Sequence, residues 1–256
     1  MIVNSIKASS KCNQKLYMPR PMFWEESIQA VKLSAEFTDF RSFRQELEKS
    51  LPWNSSYVRV RNTRSIIRWF FSSHSLDNLL TKVWTFYKNE TILKEIMRYE
   101  YLTKEPVIAE FVVNYILPLS PGASISIEHL KNFLLKKHST LRQYSLNALR
   151  WACRDLGFLS QGNSTLTVCQ IAVPKTSLLI IFHSVFAPTP RTVTVKDILS
   201  NPFWQYLGLR DQDAVRKIFR EADANGIIAK YIVADQLEQV TTRYSFDEFV
   251  QRRIWL

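Results

Sequence analysis

The stretch from Ser124 to Val168, "SISIEHLKNFLLKKHSTLRQYSLNALRWACRDLGFLSQGNSTLTV", carries the clearest structural pattern in the chain. Ser126 can cap a helix over residues 127–137, and apolar spacing predicts a stronger helix over about residues 145–156. Gly157 can supply the positive φ of a helix end, and the alternation that follows is typical of a β-hairpin. Helix, turn, helix and hairpin is the order of a winged helix-turn-helix.

The residues from Val193 onward, "VTVKDILSNPFWQYLGLRDQDAVRKIFREADANGIIAKYIVAD", offer the same order of elements. The match indicates either a structural repeat or a chance similarity between amphipathic helices. The outward face of the second helix would carry Asp213, Arg216, Lys217 and Arg220. Its mixed charge favours a scaffold or a protein contact over DNA.

The residues before this stretch predict a helical region. Apolar spacing indicates two helices within residues 23–50, broken near Thr38–Asp39, and one or two more within residues 72–101. Pro106 opens an apolar helix that should be buried, and "LSPGAS" (Leu119 to Ser124) ends it. The predicted fold is therefore mainly α, with small β-hairpins. It comprises a helical N-terminal domain (1–120), a winged-helix-like unit (121–187) and a second winged-helix-like or helical unit (188–256).

Composition favours a soluble, cytoplasmic protein with a packed core. Hydrophobic residues make up 46% of the chain, and the longest apolar run, Ser177 to Ala187, is too short to span a bilayer. Three cysteines without C-x-x-C spacing suggest neither a disulfide framework nor a zinc site. The four histidines are scattered, and His183, inside the apolar run, is expected to be a core histidine. Without a phosphate-loop or nucleophile motif, we expect neither an enzyme nor a cofactor.

The charge distribution points to a polyanion. The chain carries a net charge of +11 and has two acid-free windows, one between Glu48 and Asp77 and one between Glu128 and Asp155. Such windows are either solvated faces or the footprint of a nucleic acid. The candidate residues below favour the nucleic acid.

The first window contains four arginines in "SSYVRVRNTRSIIRWFF" (Ser55 to Phe71). Arg61, Arg64 and Arg68 share one face if the segment is helical, and Arg59 would precede a helix capped by Asn62 or Thr63. Guanidinium matches phosphate oxygens in bidentate fashion, so this row is predicted to grip phosphates beside the 145–156 helix. The alternative is ion pairing with acids elsewhere in the region, namely Glu46, Glu90, Glu95 or Glu100.

The second window contains the candidate reading helix. Gln143 and Asn147 have the side chains that read adenine edges in the major groove. Trp151 is expected to pack against a neighbouring helix. The remaining candidates are cations, which we expect to contact phosphates: Lys136, Lys137, Arg142, Arg150 and Arg154.

The order of these segments resembles the BrxA-type accessory proteins of bacteriophage exclusion (BREX) defence systems. The resemblance covers roughly residues 25–185. It rests on "VRVRNTRSIIRWF", "PVIAEFVVNYIL", "SIEHLKNFLL" and "STLRQYSLNALRWACRDLGFLS". In the last segment the matching residues are Leu146, Leu149, Arg150, Leu156, Gly157, Leu159 and Ser160. The segment after Pro188 is longer than the pattern. The resemblance implies a mostly helical, non-enzymatic DNA-binding protein that works beside the methyltransferase and other components of the system.

The sequence therefore predicts a non-enzymatic protein that binds double-stranded DNA mainly through phosphates. One alternative is a protein-interaction scaffold within a multi-subunit defence complex, because many winged helices bind proteins. RNA binding is a third possibility.

Overall fold

The computed structural model describes residues 22–137, 143–161, 165–235 and 237–255. The described chain is mainly helical with two small antiparallel sheets of three strands each, as predicted. The helices are α1 (Trp24–Ser34), α2 (Phe40–Ser50), α3 (Ser56–Phe70), α4 (Leu79–Tyr87), α5 (Glu90–Lys104), α6 (Pro106–Phe111), α7 (Ile127–Lys137), α8 (Gln143–Asp155), α9 (Lys175–Phe186), α10 (Val195–Ser200), α11 (Phe203–Tyr206), α12 (Gln212–Ala224) and α13 (Phe246–Gln251). The strands are β1 (Ser124–Ile125), β2 (Leu159–Gln161), β3 (Leu166–Val168), β4 (Thr192–Thr194), β5 (Lys230–Ala234) and β6 (Leu237–Thr241).

Short polar side chains set several of the helix boundaries in the N-terminal region. Asp39 accepts a hydrogen bond from the Ser42 amide and so starts α2, which confirms the predicted break between α1 and α2. Asn78 and Asn89 cap α4 and α5 in the same way, so the region predicted to hold one or two helices (72–101) holds two, and the second continues to Lys104. Pro106 occupies the first turn of α6, and the chain continues in a π-helical turn over Val112–Ile116.

Helix α3 begins earlier than the sequence suggested. Its N-cap is Ser55, so Arg59 lies inside the helix, and the expectation that Asn62 or Thr63 caps it is wrong. Both side chains are buried on the same face as Ile66 and Trp69. The helical spacing of the buried residues therefore runs back past Asn62, and no proline or glycine interrupts it.

The stretch from Ser124 to Val168 forms β1, α7, α8 and the β2–β3 hairpin. Ser126 Oγ accepts from the His129 amide at the start of α7, and Gly157 adopts φ 78° after α8, both as predicted. Helix α8 begins two residues before the predicted start. Strand β3 pairs with both β1 and β2, so the sheet order is β1–β3–β2. The hairpin tip, residues 162–164, is outside the described residues.

The same order of elements follows in the C-terminal part. Strand β4 is followed by helices α10 to α12 and by the β5–β6 hairpin. The three strands form a sheet of order β4–β6–β5. Helix α9 packs against α5 and α13, and its apolar run is buried from Ser177 to His183 as expected, whereas Val185 is exposed. The final helix α13 is fixed by a capping box between Ser245 and Glu248.

Helix α5 connects these parts through two ionisable side chains. The half-buried Arg98 donates from Nε to the Leu156 carbonyl at 2.7 Å and from Nη1 to the Leu207 carbonyl at 3.1 Å. These carbonyls lie just after α8 and α11, where helix C-termini leave acceptors unpaired. Glu95, one turn earlier, accepts from Ser177 Oγ of α9 at 2.6 Å. Helix α5 thus contacts both the first α/β part, which comprises β1, α7, α8, β2 and β3, and the second α/β part, which comprises β4, α10 to α12, β5 and β6.

Candidate nucleic-acid interface

Helix α8 divides into an apolar face and a polar face. Leu146, Leu149 and Cys153 are buried, whereas one stripe of polar side chains points away from them. We call this stripe the α8 polar face, and it consists of Gln143, Asn147, Arg150 and Arg154. Their spacing of four, three and four residues places them along one side of the helix. Trp151 is half-buried beside this stripe.

The first two members of the α8 polar face form an amide pair. Gln143 Nε2 donates to Asn147 Oδ1 at 3.3 Å across one helical turn. The pair leaves Gln143 Oε1 as an acceptor and Asn147 Nδ2 as a donor. These two groups match the donor and acceptor that adenine presents in the major groove.

Arg150 joins α8 to the hairpin. Its Nη2 donates to Gln161 Oε1 on β2 at 3.3 Å, and its Nε is enclosed without a partner among the described residues. Within the described residues the Arg150 guanidinium has no ion pair, so its charge remains available to an anion. Gln161 is not among the sequence-predicted site residues, although its place beside the predicted Gly162–Asn163 turn is a usable signal because β2 packs against α8.

The other cations near α8 differ in their engagement. Arg154 forms an ion pair with Asp155 at 2.9 Å, and Lys137 forms one with Glu110 at 2.7 Å. Lys136 is exposed on the last turn of α7. Arg142 lies outside the described residues.

The four arginines of α3 have separate environments. Arg59 is half-buried and donates to the Trp53 carbonyl at 2.6 Å, so it holds the loop before α3. Arg61 and Arg64 are exposed on one face, and the Arg61 Nε contact to Asn62 Oδ1 is long, at 3.4 Å. Arg68 donates to Glu105 Oε1 at 3.0 Å. Arg61 and Arg64 are thus the two members of the row best placed to meet a phosphate.

The Arg68 contact belongs to a buried cluster that includes Glu105. The Glu105 carboxylate also accepts from Trp69 Nε1 at 2.6 Å, and its side chain is only 8% exposed. Burial raises the pKa of Glu105, while the Trp69 hydrogen bond and the Arg68 charge act in the opposite direction. Ion pairing of Arg68 was the alternative considered from the sequence, but its partner is Glu105, which was not among the acids considered.

The α3 row and the α8 polar face lie on helices with different neighbours. Helix α3 packs against α1, α2 and α5, whereas α8 packs against α6, α7 and β2. At the N-terminal end of the row, Arg59 lines a cleft with Lys49 and Glu48 of α2. That the row lies beside α8 stays a prediction.

Helix α12 occupies the position in the second α/β part that α8 has in the first, but it carries acids as well as cations. Arg216 forms ion pairs with Asp213 at 3.1 Å and with Glu238 at 3.0 Å. Glu221 pairs with Lys175 of α9 at 2.5 Å. Lys217 and Arg220 are exposed, so the face has the mixed charge noted in the sequence.

The described residues contain no cluster of three or more His, Cys, Asp or Glu side chains that could hold a metal ion. His183 is a core histidine, as predicted: its Nδ1 lies 2.8 Å from the Leu179 carbonyl and its ring stacks on Phe249. Within the described ranges, every helix is too short or too polar to cross a bilayer.

Comparison of the chain with protein-family models, with curated proteins and with solved structures gives no match. The resemblance to BrxA-type proteins therefore stays a prediction.

Proposed function

We propose that this chain binds double-stranded DNA without catalysing a reaction, and that β1, α7, α8, β2 and β3 form a winged helix whose α8 enters the major groove. Two helices followed by a hairpin, with the sheet order β1–β3–β2, support this assignment. The observation that carries the proposal is the α8 polar face, which combines two amides with an arginine that has no acidic partner among the described residues. We propose the same fold for the second α/β part, which shares this order of elements.

The division of labour follows from the chemistry of the side chains. Gln143 and Asn147 lie at the N-terminal end of α8, where a recognition helix contacts base edges. Arg150, Lys136, Arg61 and Arg64 would contact phosphates, which position the protein without reading sequence. Arg68, Arg154 and Lys137 contribute less, because each already pairs with a carboxylate.

The proposed biological setting comes from the resemblance to the BREX accessory proteins. A DNA-binding subunit without catalysis would act there by holding DNA for the methyltransferase or for another component.

A scaffold function is favoured for the second α/β part by specific observations. Arg216 of α12 is ion-paired, and the β5–β6 hairpin exposes Ile232, Val233 and Leu237. An apolar hairpin beside a helix of mixed charge suits a protein contact better than a polyanion.

Duplex binding measured by fluorescence anisotropy across a salt series tests the proposal. Asn147→Ala/Arg150→Ala should weaken binding by about tenfold or more, since the variant loses a base contact, which contributes about 1–3 kcal/mol, together with a phosphate contact. Arg61→Glu/Arg64→Glu should reduce the log–log salt slope by about 0.9 for each phosphate that the variant no longer neutralises. Arg216→Ala on α12 is the matched control and should bind like the wild type.

Two outcomes would overturn the proposal. If the wild-type protein shows no salt-sensitive binding to duplex DNA at low salt, the chain is not a DNA-binding protein. If structured RNA of the same length competes much better than duplex DNA, the polyanion is RNA.

A further inference from the structure

A groove of about 430 Å³ runs along α1 beside the C-terminal end of α2. Its floor is apolar and includes Ala30, Leu33, Leu47 and Leu51. The lining residues of α1 extend from Glu25 to Leu33, and Glu36 follows just after the helix. The groove therefore runs along most of α1, which is about 16 Å or about three turns long. A surface of this length and shape matches one side of a short helix.

The rim of the groove is acidic on a chain that is otherwise strongly basic. Glu25, Glu26 and Glu36 line it, and within the described part of the chain none of them has an ion pair. The cation that lines the groove, Lys32, is occupied by Glu90 at 2.6 Å and lies over the Trp84 ring. The net charge of the chain is +11, so this rim is a local reversal of its sign.

We propose that this groove is a docking site for a basic amphipathic helix of a partner protein. Helix-in-groove recognition uses apolar anchors spaced along one face of the ligand, and the α1–α2 floor supplies the surface that such anchors would cover. Lysine or arginine beside those anchors would meet the three unpaired glutamates, and complementary charge selects the partner and speeds association. Nucleic acid would be repelled by the same rim, so this site is separate from the α8 polar face.

The test uses the full chain and a fluorescein-labelled peptide about three helical turns long. Its leucines share one face of the helix, and its lysines lie beside that face. A second peptide of equal length carries glutamate at every lysine position. At about 0.15 M salt, the lysine peptide should bind and the glutamate peptide should bind at least about tenfold more weakly. Glu25→Lys/Glu36→Lys should lower the affinity for the lysine peptide by about tenfold or more, because both substitutions reverse exposed charges of the rim.

Two further variants separate the groove from general charge effects. Glu128→Lys/Asp213→Lys makes the same change in net charge on α7 and α12, and its peptide affinity should stay within about twofold of wild type. Leu33→Ser shortens a half-buried floor side chain and should weaken the peptide without a change in rim charge. Duplex-DNA binding should be retained or strengthened in Glu25→Lys/Glu36→Lys, because the variant removes negative charge that repels DNA, so failure here and failure of the proposed function are distinguishable.

Equal binding of both peptides, or equal affinity of the groove variant and the wild type, would overturn the proposal. Sedimentation of the full chain provides another outcome. A concentration-dependent dimer that Leu33→Ser abolishes would identify a second copy of this chain as the occupant and would overturn the partner-helix proposal.

Discussion

His183 gives the stability of this protein a predictable pH dependence. The residue is fully buried in α9, its Nδ1 faces the Leu179 carbonyl, and its Nε2 has no partner among the described residues. Protonation would place an N–H at Nε2 in an apolar environment without an acceptor. Burial therefore lowers the pKa of His183 from 6.5 to about 4, against the opposing effect of the Leu179 hydrogen bond.

The sign of the effect follows from proton binding in the two states. Between pH 6.5 and pH 4 the unfolded chain binds a proton at His183 and the folded chain does not, so the free energy of unfolding decreases as the pH falls. One pH unit corresponds to about 1.4 kcal/mol for one proton, so we expect a loss of about 2 kcal/mol at pH 5 relative to pH 7.5. Well above the pKa that His183 has in the unfolded chain, neither state binds the proton and this loss of stability is absent.

Urea unfolding of the wild type and of His183→Leu at both pH values measures this loss. Leucine is close in volume and has no ionisable group, so the variant should lose less stability than the wild type between pH 7.5 and pH 5, by about 2 kcal/mol. The comparison also cancels the contribution of the buried carboxylates to the pH dependence. Burial raises the pKa of Glu95 and of Glu105, so they favour the folded state at lower pH and oppose the histidine equally in both proteins. Identical pH dependence in the two proteins would refute the reasoning.

Three further substitutions test other contacts. Arg98→Met should lower the free energy of unfolding by about 2–4 kcal/mol, because the Leu156 and Leu207 carbonyls lose charged donors; a decrease under about 1 kcal/mol in urea unfolding would contradict this. Gly208→Ala should lower the free energy of unfolding more than Gly122→Ala does, by about 1 kcal/mol or more in the same assay. Both glycines have positive φ, but of the two only Gly208 would place a Cβ within 4 Å of another side chain, that of Ile171 at 2.7 Å. Arg216→Ala should lower stability by about 1 kcal/mol because its ion pairs are removed, and a change in duplex affinity above about twofold would show that α12 also contacts DNA.

Local signals in the sequence were sufficient for much of the fold. Asp39, Ser126 and Gly157 act through neighbouring backbone groups, so their roles as caps and helix ends could be predicted from residues a few positions away. The amphipathic spacing of α8 likewise predicted which side chains would point outward. Asn and Thr suit an N-cap position by their side-chain chemistry, so local signals could not show that Asn62 and Thr63 are buried inside a helix that begins at Ser56.

Long-range pairing of charges was beyond the sequence. Arg68 and its partner Glu105 are 37 residues apart, and nothing in either segment distinguishes that acid from its neighbours. The acids that neutralise Arg216 and Arg154 were visible in the sequence, but only the fold shows which cations they engage. The candidate interface could thus be predicted as a set of residues, whereas their availability depends on tertiary contacts.

The hydrogen bonds of Arg98 also have a consequence for synthesis. Its second acceptor, the Leu207 carbonyl, lies 109 residues further along the chain. At about 5–20 residues per second, a ribosome needs roughly 5–20 s to supply that acceptor after Arg98 has been made. During this interval the Arg98 guanidinium lacks its second acceptor, so α5 completes these contacts only after most of the chain has been made.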